Sequence, residues 1–293
     1  MDRVTFRQGA RADWKGMSEL FTKRPVKERL ARMKRRYEKE PEGWYVAEQS
    51  GRIIGCCQAV FPRPADCWLQ WMRIGKQAQG GGIGGSFVDY IERQVIARGA
   101  EAVRLNTMIT NRVVHSMMGG SRGFTEWARW TRFTDLPRRR IKGKSGLRSV
   151  RHAEDAAEVI DWLEGQVGYR ASFAAVTCPH DFQKTVSLDR ALLKELIGSR
   201  ERAGCVIAEK GDQIEAVALY RGNGRELRIL QLVAASNAGG VAAVGRALQE
   251  AKQVERMSIQ LAGASQELLG AIQRSFVGPK GKQHDFYVFG KRF

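Results

Sequence analysis

An apolar run at Trp68–Ile74 breaks off in a cluster of glycines and passes at once into an amphipathic stretch; residues 79–85 read Gln-Gly-Gly-Gly-Ile-Gly-Gly. Such a chain has to turn from strand to helix within a few residues. The turn leaves convergent backbone N–H groups without partners at the helix start, where the helix dipole adds roughly half a positive charge. Glycine lets the backbone approach an anion that a Cβ would hold away, and a pyrophosphate suits the place. The spacing is Gln79-x-x-Gly82-x-Gly84. A dinucleotide-binding unit wants G-x-G-x-x-G and an acidic residue at the next strand's end, about 20 residues on; Glu101 instead precedes the next apolar run. A P-loop wants Gly-Lys-Ser/Thr, and none follows. A plain tight connection remains compatible with the glycines.

The 293 residues are 43% apolar and 27% charged, ordinary for a globular protein and long enough for about two domains. No apolar run reaches the ~18–20 residues of a membrane span, and Met1–Arg7 lacks the apolar core of a signal peptide. Cys56, Cys57, Cys67, Cys178 and Cys205 form no C-x-x-C pair and sit in or beside apolar runs, which reads as reduced cysteines used as small hydrophobes. A cytoplasmic protein with no membrane partner is expected. No metal-ligand spacing occurs. Cys178-Pro-His180 reads as a loop, His284-Asp285 as strand-edge polarity, and Trp127, Trp130 and Phe133 as core.

The chain echoes itself. Cys205-Val-Ile-Ala-Glu209 repeats Trp44-Tyr-Val-Ala-Glu48 at an offset of 161 residues. The same offset carries Leu69-Gln70-Trp71 onto Leu230-Gln231-Leu232, Gly82 onto Ala243 and Gly84 onto Gly245. A constant register argues for a duplicated fold. Gln79 maps onto Gly240, however, so no Gln or Arg leads the second turn. Between the copies, Pro137–Gly146 holds five basic residues, two glycines and a proline, a linker composition. The expected domains are 1–136, a basic linker at 137–146, and 147–293 with a degenerate turn.

The order of features from residue 3 to 134 resembles the GNAT acyltransferase superfamily, whose core motif is Gln/Arg-x-x-Gly-x-Gly/Ala after an apolar strand. Gln79, Gly82 and Gly84 match it. Val103–Thr107 is similar to the family's next strand, Asn111 to the Asn that opens its next helix, and Gly123-Phe124 to its Gly-Phe. Trp44–Glu48 and Arg52–Phe61, with Ser50-Gly51 between them, look like its central hairpin. The resemblance implies a mixed α/β fold: two tandem domains, each a twisted, mostly antiparallel sheet flanked by helices. It also implies acetyl-CoA or another acyl-CoA as cosubstrate, with transfer of the acyl group to an amine. The pyrophosphate would lie on backbone N–H groups of Gln79, Gly80, Gly81, Gly82, Ile83, Gly84 and Gly85. The strand edge at Met72 and Ile74 would pair with the pantetheine arm, and Asn111 would help place that arm. A non-catalytic acyl-CoA-binding module is the alternative.

The family's usual carboxylate position falls on Trp68, and its usual tyrosine position on Gly119. By strand alternation Asp66 and Gln70 share the face of Trp68, so both become candidates, Asp66 as the base. Ser116 and Ser121, with His115, are the polar groups near Gly119. A weakly basic amine would need no strong base.

Charge is uneven. Residues 1–146 hold 29 Lys/Arg against 14 Asp/Glu, a net +15, and the remainder is +3. Residues 26–40 carry an apolar stripe of Val26, Leu30, Met33 and Tyr37 at helical spacing, with basic residues on the other faces. Arg32, Arg35 and Arg36 are candidates for gripping a polyanionic acceptor such as tRNA or DNA. A solvated basic surface is the other reading.

Overall fold

The computed structural model describes the chain apart from residues 1–2, 22–25, 120–121, 135–145, 151, 172–174, 178–183, 199–202, 224–225, 252–253, 255, 263–265 and 278–282. Two compact units are present. One comprises Met1–Leu105, Arg112–Thr125 and Gly290–Phe293, the other Asn106–Asn111 and Glu126–Phe289. The units thus interleave in sequence, whereas composition suggested two contiguous halves. Apart from Gly146, the expected linker at 137–146 lies outside the described residues.

The first unit is built on β1 (Thr5–Gln8), α1 (Trp14–Glu19), α2 (Val26–Lys39), β2 (Trp44–Gln49), β3 (Arg52–Arg63), β4 (Asp66–Ile74), α3 (Ile83–Ala97), the start of β5 (Ala102–Met108) and α4 (Arg112–Gly119). Strands β1 to β4 pair antiparallel in order, and β5 joins β4 in parallel. The β2–β3 hairpin turns through Ser50 (φ 51°) and Gly51 (φ 71°). Two consecutive positive φ angles match the right-handed twist of the flanking strands.

Strand alternation sorts the core. Trp44, Val46 and Cys56 share one face with Met17 of α1 and Met33 and Tyr37 of α2. Of the apolar stripe read from the α2 sequence, Met33 and Tyr37 are buried and Leu30 packs at the margin; the Val26 side chain lies outside the described residues. Tyr45 points the other way and meets Tyr90 of α3, ring centroids 6.2 Å apart; Phe6 stacks on Phe87 at 5.4 Å. Phe87, Val88, Ile91 and Val95 bury the inner face of α3. Near the outer end of α3, Lys291 Nζ donates to Glu92 Oε2 (2.7 Å), and the Phe293 N–H donates to the Glu101 carbonyl (3.1 Å).

The second unit follows the same pairing rules. Here β6 (Thr125–Thr134) and β7 (Leu147–Val150) precede α5 (Ala156–Gly165), α6 (Val167–Ala171), β8 (Ala175–Thr177), β9 (Thr185–Ser187), α7 (Arg190–Gly198), β10 (Ala203–Lys210), β11 (Gln213–Asn223) and β12 (Glu226–Ala234). Then come α8 (Asn237–Ala251), β13 (Arg256–Ala262), α9 (Gln266–Phe276) and β14 (Gln283–Arg292), whose last three residues group with the first unit. Strands β7, β10, β11 and β12 pair antiparallel in that order; β12 and β13 are parallel across α8, and β6 pairs antiparallel with β13. Strands β8 and β9 form a separate hairpin. Among the described residues no helix is long and apolar enough to cross a membrane. Cys56, Cys57, Cys67 and Cys205 are buried free thiols, as their apolar settings suggested; Cys178 and His180 lie outside the described residues.

Because Met33 is fully enclosed, Met33→Ala should lower stability by about 2–5 kcal/mol. Urea denaturation checks this; a loss under ~1 kcal/mol would mean that α2 does not dock through its apolar stripe.

Candidate functional site

The glycine turn has the geometry that its sequence suggests. The Gly75 N–H donates to the Ile54 carbonyl (2.7 Å) and closes the end of β4. A short 3-10 turn covers Lys76–Ala78, and Gln79 Nε2 reaches back to the Ile74 carbonyl (2.8 Å). Gln79 thus braces the turn with its side chain. Gly80 and Gly82 have φ of 91° and 74°, a region that L side chains rarely adopt. Gly82 is the N-cap of α3 and brings no side-chain hydrogen bond. A Cβ placed on Gly80, Gly81 or Gly82 would meet nothing within 4 Å. The surface over the helix start is therefore open, and the first N–H groups of α3 have no intrahelical partners.

The next two glycines serve packing. A Cβ on Gly84 would sit 3.3 Å from Met117 Sδ of α4, and one on Gly85 would overlap the Arg122 guanidinium. Arg122 donates from Nε to Asp89 of α3 (3.0 Å) and from Nη1 to the Met117 carbonyl (3.3 Å). It ties the first turns of α3 to the end of α4. Sequence reading missed Arg122, whose only signal was its place just before Gly123-Phe124.

Upstream of the turn, β4 and β5 share a parallel ladder only from Asp66–Trp68 to Ala102–Arg104. The β4 edge that includes Met72 and Ile74 lies outside it. The β3–β4 register slips between Cys56/Arg73 and Gln58/Gln70, and Trp71 has φ 58°. This is a bulge, which takes backbone groups out of the ladder and re-aims the strand.

The candidate base is surrounded by protein. Asp66 is buried at the far end of β4 and forms an ion pair with the fully enclosed Arg104 of β5. Burial pulls the Arg104 guanidinium down from its ordinary value, and Asp66 opposes that. A carboxylate committed to a buried cation eight strand residues from the turn, about 26 Å at ~3.3 Å each, is a structural group. Gln70 is half-buried beside the bulge, and its Nε2 donates to Gln58 Oε1 of β3 (2.7 Å). Gln58 is 1% exposed, and its own Nε2 has no partner among the described residues.

Asn111 directly precedes α4. It donates from Nδ2 to Thr107 Oγ1 (3.0 Å) and groups with the second unit. His115 is half-buried and Ser116 exposed on α4; Ser121 lies outside the described residues. On α2, Arg35 is exposed and Arg36 half-buried, while the Arg32 side chain is outside the described set. Among the described residues no cluster of metal-ligating side chains occurs.

The corresponding turn of the second unit is closed by its own groups. Ser236 Oγ accepts from the Gly239 N–H (3.0 Å) and donates to Glu215 Oε2 (3.0 Å). A Cβ on Gly239 would lie 2.8 Å from the Glu215 Cβ. A carboxylate thus stands at the start of α8, where an anion would otherwise bind.

The profile of the acetyltransferase (GNAT) family matches residues 11–124. Among curated proteins none matches the sequence. Solved structures resemble the whole chain. A GCN5-related N-acetyltransferase from Sphaerobacter thermophilus aligns over 100% of this chain and 96% of its own, with 11% identity and a TM-score of 0.57. A candidate acetyltransferase from Thermoplasma acidophilum aligns over 99% and 100%, with 12% identity and a TM-score of 0.52. At such identities the likeness concerns the fold.

If Asp66 is structural, Asp66→Ala removes a buried counter-charge of Arg104 and should cost about 3–5 kcal/mol. Thermal and urea unfolding measure it; an unchanged midpoint would return Asp66 to the candidates for chemistry.

Proposed function

We propose that this chain, a member of the GNAT acetyltransferase family through its residues 11–124, binds acetyl-CoA or a related acyl-CoA in its first unit and transfers the acyl group to an amine. The carrying observation is the open, uncapped start of α3 behind two left-handed glycines. Backbone N–H groups from Gly80 to Gly84 offer donors to a pyrophosphate, and the dipole of α3 adds to their pull. Gln79 keeps the turn shaped, and Arg122 keeps α3 and α4 in register around it. The Met72–Ile74 edge of β4 offers backbone groups to the pantetheine amides, and Asn111 is the proposed side-chain contact for that arm. When bound, the acyl-CoA supplies an activated thioester carbonyl. Holding that carbonyl and an amine together can account for much of the ~7–11 kcal/mol available from proximity.

One acyl-CoA per chain is expected, because Glu215 and Ser236 occupy the start of α8. We read the second unit as a related domain that has lost the anion site. Titration calorimetry with acetyl-CoA should give a stoichiometry near one, and Gly82→Arg should abolish binding by filling the phosphate position. No binding by the unaltered protein would refute the assignment. The burial of Asp66 in an ion pair favours one competing reading, a non-catalytic acyl-CoA-binding module. Free-thiol release across a panel of amines separates the two, since a module binds and never turns over.

For the acceptor, the +15 of residues 1–146 and the exposed basic face of α2 support an amine attached to a polyanion such as tRNA or DNA. Binding through phosphates should weaken with salt, at a log–log slope of about −0.7 to −0.9 per contact. Replacing Arg32, Arg35 and Arg36 together with Ala should flatten that slope and leave acetyl-CoA binding intact. Mobility shifts with tRNA and duplex DNA at several salt concentrations measure it; no retardation even at low salt would assign the basic face to solvent.

A further inference from the structure

The β4 strand of an acyltransferase must present something to the attacking nitrogen, and here its two carboxylate-like positions are accounted for. Asp66 is bound to Arg104, and the usual carboxylate position holds Trp68, which is buried. The next polar group toward the turn is Gln70, four strand residues or about 13 Å back from Ile74 at ~3.3 Å per residue. That span suits an extended pantetheine arm anchored at the glycine turn. Gln70 stands directly before the Trp71 bulge and beyond the last β4–β5 pairing, Trp68 with Arg104.

The amide of Gln70 is oriented from behind. Gln58 lies opposite it across the ladder and accepts its Nε2 at 2.7 Å. Gln70 therefore keeps its Oε1 as an acceptor. Gln58 faces the same side of the sheet as Trp44, its partner on β2. The Gln58 Nε2 and the Trp44 indole Nε1 are both buried donors without a partner among the described residues.

Among the described residues, the groups on that face offer no base near neutrality. Burial pushes the Tyr37 hydroxyl up to about 12 and the Cys56 thiol up to about 12. The Arg7 guanidinium bonds to Asp13 and to Glu48, which removes both carboxylates. Arg73 lies over the Phe21 ring. On the helices packed there, Glu19 and Glu38 are exposed, and Glu38 pairs with Lys34.

We propose that Gln70, held by Gln58, is the side chain that meets the acceptor nitrogen, and that the acceptor is a weakly basic amine, as in an α-amino ester or amide. This rests on the acyltransferase reading above. The amine arrives neutral, and its N–H is accepted by Gln70 Oε1. The nitrogen lone pair attacks the thioester carbonyl carbon, a C–N bond forms, and the C–S bond breaks with its electrons on sulfur. The proton shed by nitrogen reaches the thiolate through solvent, so the products are an amide and free CoA thiol.

The test uses the full chain with acetyl-CoA, and two amines, glycinamide and n-butylamine, followed by thiol release from pH 6 to 10. An α-amino group near 8 and an alkyl amine near 10.4 differ about 10²-fold in neutral fraction at pH 7. Preference for glycinamide should be at least that large, and kcat/KM should rise with pH only to the pKa of the free amine. Gln70→Leu should lower kcat/KM about tenfold without moving the pH profile. Gln58→Leu should do the same, and the double variant should lose no more than either alone. Calorimetric acetyl-CoA binding by each variant keeps misfolding separate from loss of function. Equal use of the two amines at pH 7, or a Gln70→Leu variant as active as the parent, would overturn this inference and leave the acyltransferase reading standing. Failure of the parent to bind acetyl-CoA, or to acylate any amine, would overturn both.

Discussion

Strands β4 and β5 are held together at one end and along no more than three residues. A buried ion pair, Asp66 with Arg104, sits at that point. Taking two charges out of water costs several kcal/mol per ion, and their attraction only about offsets it, so the pair is weak evidence for stability. What it contributes is position. Pairing Arg104 with Asp66 favours one register for a parallel ladder too short to select its own. The free edge of β4, the bulge at Trp71 and the direction in which Ile74 delivers the chain into the glycine turn all follow from where that ladder stops.

The glycine turn divides labour among residues that look alike in sequence. Gly80 and Gly82 are needed for backbone conformation, with empty space beyond them. Gly84 and Gly85 are needed for clearance, against Met117 and Arg122. Substitution at the first pair strains the loop, whereas substitution at the second makes the Met117 and Arg122 side chains give way. The second unit makes the converse choice: Ser236 caps the Gly239 N–H, and the Glu215 carboxylate stands beside it at the start of α8.

Much of this was legible in the sequence because it depends on local pattern. The strand-to-helix turn, the Ser50-Gly51 hairpin and the buried stripe of α2 rest on residues within a few positions of one another. The order of antiparallel pairing in the second unit follows that of the first. What was not legible depends on partners far away in the chain. Asp66 looked like a base because Arg104, 38 residues on, was not read as its partner; the signal was there, a lone arginine amid Ala102, Val103 and Leu105. Gln58 gave no signal, since a glutamine in an apolar strand declares nothing until its neighbour across the ladder is known. The linker composition at 137–146 lies almost wholly outside the described residues, and compactness divides the chain at other positions.

The contact between Lys291 and Glu92 spans 199 residues. Glu92 is nearly enclosed, and one of its carboxylate oxygens has no partner among the described residues, so Lys291 is the counter-charge that this part of α3 waits for. On a ribosome adding about 5–20 residues per second, roughly 10–40 s separate the emergence of the two. For that interval the nascent first unit carries a carboxylate in a nearly closed site with no cation beside it. Residues 290–293 are thus among those that finish the unit begun first, and a chain stalled short of them would leave α3 incompletely seated however well its glycine turn had formed.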